Sequence, residues 1–216
     1  MKITQLSEHI WDVRSWMIIP VHVWIVVEKD GLTLVDAGMP WMAKSILRLV
    51  DTLQAGPLRR IVLTHGHPDH VGSLKRILPT HPLPVYIHRI EIPFVEGDLP
   101  YPGRSKAVAQ VAKGIVQPLP EEPSGQLSPI GGLIPYWTPG HSPGHVVYYH
   151  QQDDVLLAGD LLNSSKGKLR LPRFTPDIAQ AKQSLSIVKQ LNPGRIEICH
   201  GDSVFHPTQQ IDALIT

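Results

Sequence analysis

The stretch Thr64-His65-Gly66-His67-Pro68-Asp69-His70 follows a short apolar run, Ile61–Leu63, and its reading decides the fold. On an extended segment, residues i and i+2 project to the same side, so His65 and His67 can converge on one metal ion. Pro68 suits the first turn of a helix. A helix starting there turns Asp69 and His70 away from that pair and toward a second site. Four ligand-type side chains within six residues are hard to explain as core packing. A strand end leading into a helix is also where open α/β sheets place their ligands.

One segment cannot complete two metal shells, so further ligands are expected at other loop tips. Three candidates stand at the exits of apolar runs. His141 follows Thr138-Pro139-Gly140, Asp160 follows Val155–Ala158 and Gly159, and His200 follows Arg195–Cys199. Asp36 ends the run Leu32–Val35 in the same way. His9, His81, His88, His150 and His206 have no such company and read as surface or hydrogen-bonded residues. Cys199 is the only cysteine, so no internal disulfide is expected. Next to His200 on a strand, it is expected to point to the opposite face, into the core.

Around these positions strands and helices alternate. Val23–Val27 and Leu32–Val35 flank Asp30-Gly31 and read as a hairpin. Met42, Ile46, Leu49, Val50 and Leu53 recur at helical spacing. Val85–Ile87, Leu133–Trp137 and Val146–His150 read as further strands, and Thr175-Pro176 opens a helix with the stripe Ile178, Ala181, Leu185, Val188 and Leu191. The pattern indicates a layered α/β architecture with mixed sheets. Residues 91–129 differ, carrying seven prolines. They read as an excursion with one helix over Ser105–Val116, placed to act as a lid over a cleft.

The chain has 216 residues, which suits a single domain over 1–216. Lys and Arg number 20 against 19 Asp and Glu, so a strong binder of nucleic acid is not expected. The longest apolar stretch, Trp16–Val27, is broken by Pro20 and His22 and is too short to span a bilayer. No export signal is recognisable at the N-terminus. A cytoplasmic protein without a membrane partner is the expectation.

Taken together, Thr64–Gly72, His141 in its Thr-Pro-Gly-His turn, Gly159-Asp160 and His200 resemble the metallo-β-lactamase superfamily, with its glyoxalase II-like and lactonase-like hydrolases. The resemblance implies a four-layer αβ/βα sandwich with two mixed sheets and a binuclear centre at its edge. It implies that His65, His67 and His141 hold one metal ion, that Asp69, His70 and His200 hold the other, and that Asp160 bridges them. Asp36 would stand behind the ligands and orient one of them. Five imidazoles and two carboxylates, with no thiolate, suit zinc and also admit manganese, iron or cobalt.

The implied activity is cleavage of an ester, thioester or lactone of a small molecule by a hydroxide held between two metal ions. Asp69 would serve as the catalytic group that orients the nucleophile's proton. Protonating ordinary ligand histidines would expel metal and lower activity on the acid side of about pH 6. The superfamily also contains β-lactam and phosphodiester hydrolases and iron-dependent redox enzymes. Sixteen residues follow His200, so the helical substrate domain of glyoxalase II enzymes is not expected here. Tyr101 and Arg104 in the proline-rich excursion, and Lys166 and Arg173 with Lys168 and Arg170 after Asp160, are candidate substrate contacts for a carboxylate or phosphate. Trp16, Trp24, Trp41 and Trp137 read as packing residues. His145 stands where the family commonly has a small residue, and the sequence assigns it no role.

Overall fold

β-Branched runs near the N-terminus carry the strongest strand signal. In the computed structural model, which describes residues 1–215, they open one long meander. β1 (Lys2–Gln5), β2 (Ile10–Trp16), β3 (Pro20–Glu28) and β4 (Gly31–Val35) pair antiparallel in chain order. β5 (Leu58–Val62), β6 (Val85–Ile87) and β7 (Val116–Pro118) then add in parallel and complete a mixed seven-stranded sheet. The crossovers carry α1 (Ala43–Leu53), then α2 (Pro68–Val71) and α3 (Leu74–Ile77), with α4 (Ile92–Val95) before β7.

The second sheet is built from β8 (Ile134–Trp137), β9 (Val146–His150) and β10 (Val155–Leu157). Next come a separate hairpin of β11 (Asn163–Ser165) and β12 (Lys168–Arg170), and the helices α5 (Ile178–Ser184) and α6 (Ser186–Leu191). β13 (Arg195–Glu197) and β14 (Val204–Phe205) close the sheet in the order β14-β13-β10-β9-β8. Only β10 and β13 are parallel within it.

Strand alternation divides the core. On β9, Val146 and Tyr148 join the large cluster shared with the first sheet, whereas Val147 packs with Leu156, Ile196, Leu185 and Val188 beneath α5 and α6. Helices, two facing sheets and helices again make the αβ/βα sandwich. The sheets are bolted together just below the site: Val146 N–H donates to the Thr64 carbonyl at 2.8 Å, and Tyr148 Oη–H donates to the Leu63 carbonyl at 2.8 Å. Among the described residues no helix is long and apolar enough to cross a membrane.

Several local expectations need correction. Residues 105–115 are not helical. The amides of Gln110 and Val111 bond to the Val95 carbonyl at the end of α4 instead of to carbonyls one turn back. The late amphipathic helix starts at Ile178, because Asp177 is the cap that accepts the Gln180 amide at 2.9 Å. Thr175 is occupied elsewhere, donating its hydroxyl to the Pro172 carbonyl. Of the four tryptophans assigned to packing, only Trp24 is buried; Trp16, Trp41 and Trp137 are exposed.

Candidate metal centre

β5 runs out at Val62, and the chain stays extended to His67, whose φ of −69° and ψ of 155° precede Pro68 at the first position of α2. That geometry separates the motif as its spacing predicts. His65 Nε2 lies 2.9 Å from His67 Nδ1, and His141 Nε2 lies 3.0 Å from the same atom. One turn on, His200 Nε2 is 3.1 Å from Asp69 Oδ2, and His70 Nε2 is 3.8 Å from it. Asp160 stands between the two groups. Its Oδ2 is 3.4 Å from His141 Nε2 and 3.3 Å from His200 Nε2, and its Oδ1 is 3.5 Å from His70 Nε2. All seven residues proposed from the sequence therefore meet at one rim of the sandwich.

The hydrogen bonds behind these rings decide which nitrogens are free. Asp36 accepts the Thr64 amide and hydroxyl, each at 2.8 Å, and His70 Nδ1–H at 2.8 Å. With the Thr64 hydroxyl proton committed to Asp36, His65 Nδ1–H donates to Thr64 Oγ1 at 3.1 Å. His200 Nδ1–H donates to the Pro20 carbonyl at 2.9 Å. In each case Nε2 is left as a lone pair facing the centre. Asp36 thus stands behind the rings, hydrogen-bonded to Thr64 and to His70.

His145 gains a role as well. Its Nε2 accepts the Asp160 backbone N–H at 3.1 Å, while Nδ1 bonds Thr138 Oγ1 at 2.9 Å, so this buried ring fixes where Asp160 stands.

The donor set fits a cation. Among the described residues, His70 Nε2 and Asp160 Oδ1 are buried without a hydrogen-bond partner. One ring nitrogen of His67 faces two others, and protons cannot satisfy all three. At this rim the spatial groups able to hold an ion are His65-His67-His141, Asp69-His70-Cys199-His200 and His65-His70-Asp160; a further group, His9-His150-Asp153, lies away from it.

Cys199 lies in the core as expected but does not face away from the site. It is buried and its thiol contacts the His22 carbonyl at 3.6 Å, yet its sulfur lies within 4.8 Å of the Asp69, His70 and His200 donor atoms. The second position therefore has a thiol at its base, in addition to nitrogen and oxygen donors.

Electrostatics separate the two halves. Burial, reinforced by the neighbouring imidazoles, pushes His65 and His67 down, His67 to about 3, and burial lowers His141 too. Burial alone would lower His70 and His200. Cys199 and the nearby carboxylates outweigh it and raise both, so this half is a place where positive charge is stabilised. Burial works against ionised Asp69 as well, but His70 and His200 hold its carboxyl at about 2.

A functional residue absent from the sequence reading is Glu91. It is fully buried and accepts four hydrogen bonds. Oε1 takes the Gly66 amide at 3.1 Å and the Tyr101 hydroxyl at 2.8 Å. Oε2 takes the Gly144 amide at 2.7 Å and the Ser142 hydroxyl at 3.0 Å. One carboxylate thus ties the loop of His65 and His67 to the loop of His141 and to the proline-rich excursion.

The centre opens into a cleft of ≈ 1010 Å³ whose wall includes Tyr101, Arg104 and Arg173. Tyr101 also packs its ring edge-on to His67 at 4.8 Å. Lys166 does not line this cleft. It occupies the β11–β12 turn with φ of 52° before Gly167 at 74°, the two-residue turn that right-twisted hairpins favour. Arg170 lines the cleft in its place. His9 and His150 do find company, at the opposite end of β9. Asp153 accepts His9 Nδ1–H at 2.7 Å and lies 3.6 Å from His150 Nδ1.

A family model described as the metallo-beta-lactamase superfamily matches residues 18–200. YybB of Bacillus subtilis (strain 168), a probable metallo-hydrolase, is 38% identical over 212 residues, which span 95% of this chain and 94% of that protein. YflN of the same organism, also a probable metallo-hydrolase, is 32% identical over 211 residues, covering 81% of this chain and 76% of its own. Among solved structures, TTHA1623 in a di-iron-bound form is similar with a TM-score of 0.70 at 27% identity, covering 92% of this chain and 96% of that one. The metallo-beta-lactamase FIM-1 from Pseudomonas aeruginosa, in a mono-zinc form, has a TM-score of 0.75 at 18% identity, covering 98% and 95%, a likeness of fold alone.

Proposed function

The chain belongs to the metallo-beta-lactamase superfamily, and from that premise we propose that it is a binuclear hydrolase cleaving an ester, thioester or lactone of a small molecule. Its curated relatives support a metal-dependent hydrolase. The number of ions and the acyl chemistry are the finer reading. It rests on one observation, the convergence of three ring nitrogens beside a buried carboxylate oxygen and imidazole nitrogen that lack partners.

In this reading His65, His67 and His141 would hold one ion and Asp69, His70 and His200 the other, with Asp160 standing between the two groups. Zinc is the default for such a set, with manganese, iron or cobalt admitted. Bound there, divalent ions supply an ionised water near neutral pH and polarise a substrate carbonyl. The chain's own groups do the rest. Asp69, with 27% of its side chain exposed, faces the cleft and orients the attacking water. From there Asp69 passes the water's proton on to the leaving group. Tyr101, Arg104 and Arg173 contact substrate from the wall, and residues 91–129 form the cover, tied down through Tyr101 and Glu91.

The deciding experiment is elemental analysis of protein purified without added metal, paired with a panel of thioesters, lactones, β-lactams and phosphodiesters. About two ions per chain and acyl hydrolysis lost to a chelator and restored by zinc are expected. Hydrolysis that persists in metal-free protein would overturn the reading. The di-iron form of TTHA1623 favours one second reading, an iron-loaded redox enzyme. Iron in the purified protein together with oxygen consumption would establish it.

Glu91→Gln replaces one of the two oxygen acceptors with an N–H donor aimed at one backbone N–H and one hydroxyl. Metal affinity should fall by about 10–100-fold, the usual cost of losing support behind a ligand, as read by competition with a chromophoric chelator.

The pKa directions also revise the acid limb expected from ordinary histidines. Metal binds the unprotonated ring, so depressed pKa values let His65, His67 and His141 keep their ion into stronger acid than pH 6. His70 and His200, pushed the other way, regain protons first. Stepwise acidification should release one ion per chain before the other, as counted by elemental analysis after desalting. Simultaneous release would contradict this order.

A further inference from the structure

The chain carries nearly balanced charge, +1 overall, but the mouth of the cleft does not. Arg14, Arg104, Lys106, Arg170 and Arg173 line it. Of these, only Arg14 faces a carboxylate, Asp202 at 3.7 Å. Among the described residues the other four have no ion pair. The acidic members of the wall are Asp69, Asp160 and Asp202, and the first two belong to the metal centre. Five cations therefore stand against one remaining acid.

These cations come from separate segments. Arg104 and Lys106 lie on the proline-rich excursion, whereas Arg170 and Arg173 lie on β12 and just beyond it. The β11–β12 register sets Arg170 opposite Asn163, beside the segment that leaves Asp160, so its placement is fixed by a strand pair. The same mouth has an apolar lip. Trp16 is 65% exposed, Val108 61% and Phe174 82%, and all three line the cleft. A volume of ≈ 1010 Å³ is at the upper end of the range for ligand sites, larger than a bare lactone or small ester needs.

We propose that the substrate is an acyl thioester or ester whose leaving half carries two or more phosphate charges and whose acyl half is apolar. This rests on the acyl-hydrolase reading above. Four unpaired cations call for a ligand of several negative charges, and phosphates supply most of two each. Arginine forks match phosphate oxygens bidentately. The phosphates belong on the leaving half because that half gains negative charge as its bond breaks, and surrounding cations stabilise that change. The reaction balances with water alone. The acyl carbon–sulfur or carbon–oxygen bond breaks, a carbon–oxygen bond to water forms, one water proton passes to the leaving thiol or alcohol, and the other leaves with the carboxylic acid product.

Calorimetric binding to the metal-loaded protein tests the assignment independently of catalysis, using thioethers that cannot be hydrolysed. S-hexyl-coenzyme A carries phosphates, S-hexylglutathione carries carboxylates only, and S-hexylpantetheine carries neither. The first should bind at least about tenfold more tightly than the third at low salt and lose that advantage as salt rises. Arg170→Ala/Arg173→Ala and Arg104→Ala/Lys106→Ala, all at exposed positions, should each remove most of the difference. Equal affinity for all three probes, no binding of any, or preference for the glutathione thioether overturns the phosphate assignment. Failure of every thioester, ester and lactone to turn over would instead sink the acyl-hydrolase reading, a result that binding of the thioethers does not affect.

Discussion

Asp69→Asn should lower turnover of an accepted acyl substrate by about 10²–10⁴-fold, the span over which a positioned proton-transfer group contributes. The substitution keeps the side chain's size and one carbonyl oxygen toward His200, so the local packing survives. What it removes is the anion. Asp69 opens to the cleft in which the proposed substrate would lie. An amide there can neither accept a proton from the attacking water nor relay it. Rates and metal content must be measured on the same preparation. A full complement of ions with lost turnover identifies Asp69 as the orienting group. Lost ions would make it chiefly a ligand, and undiminished turnover would remove it from the reaction.

Asp160→Ala should have the largest effect on metal content. Its carboxylate approaches His70, His141 and His200, one contact in the first group and two in the second. Losing a supporting contact costs about 10–100-fold in metal affinity, and a carboxylate that touches both positions should cost more than that range. Turnover should fall with it. The backbone at 160 stays anchored, because its N–H remains bonded to His145 Nε2. A variant that folds normally, melts near the parent and retains two ions would exclude the bridging role.

What could be read from the sequence followed from local rules. The alternation of His65 and His67 and the proline at 68 act within one turn of chain, and both hold in the structure. His141, Asp160 and His200 were legible because a strand exit limits where a side chain can go. Glu91 was not legible. Its partners are two backbone amides and two hydroxyls contributed by three other segments, and no spacing rule connects them. The helix read over Ser105–Val116 failed for a related reason, since the amides of Gln110 and Val111 are claimed by the Val95 carbonyl, more than ten residues away. Lys166 sits where local sequence already points away from the cleft. A Lys-Gly pair between two short runs is a hairpin turn, and the turn leaves Arg170 opposite Asn163 to reach the cleft. Nor does sequence adjacency show that Cys199 lies close to its neighbour's donors, because the chain leaves β13 at Glu197, before strict alternation reaches residue 199.

The candidate ion ligands sit in the segments that follow sheet strands, Asp69 and His70 on α2, braced by Asp36, Glu91 and His145, whereas most of the cations around the entrance sit on the excursion and the β11–β12 hairpin. On the proposed reading, chemistry and selectivity are thus housed in separable parts. Exchanging residues 102–110 or 166–174 between relatives should re-aim the catalyst at new molecules without rebuilding its engine, which makes this scaffold a convenient chassis for directed diversification.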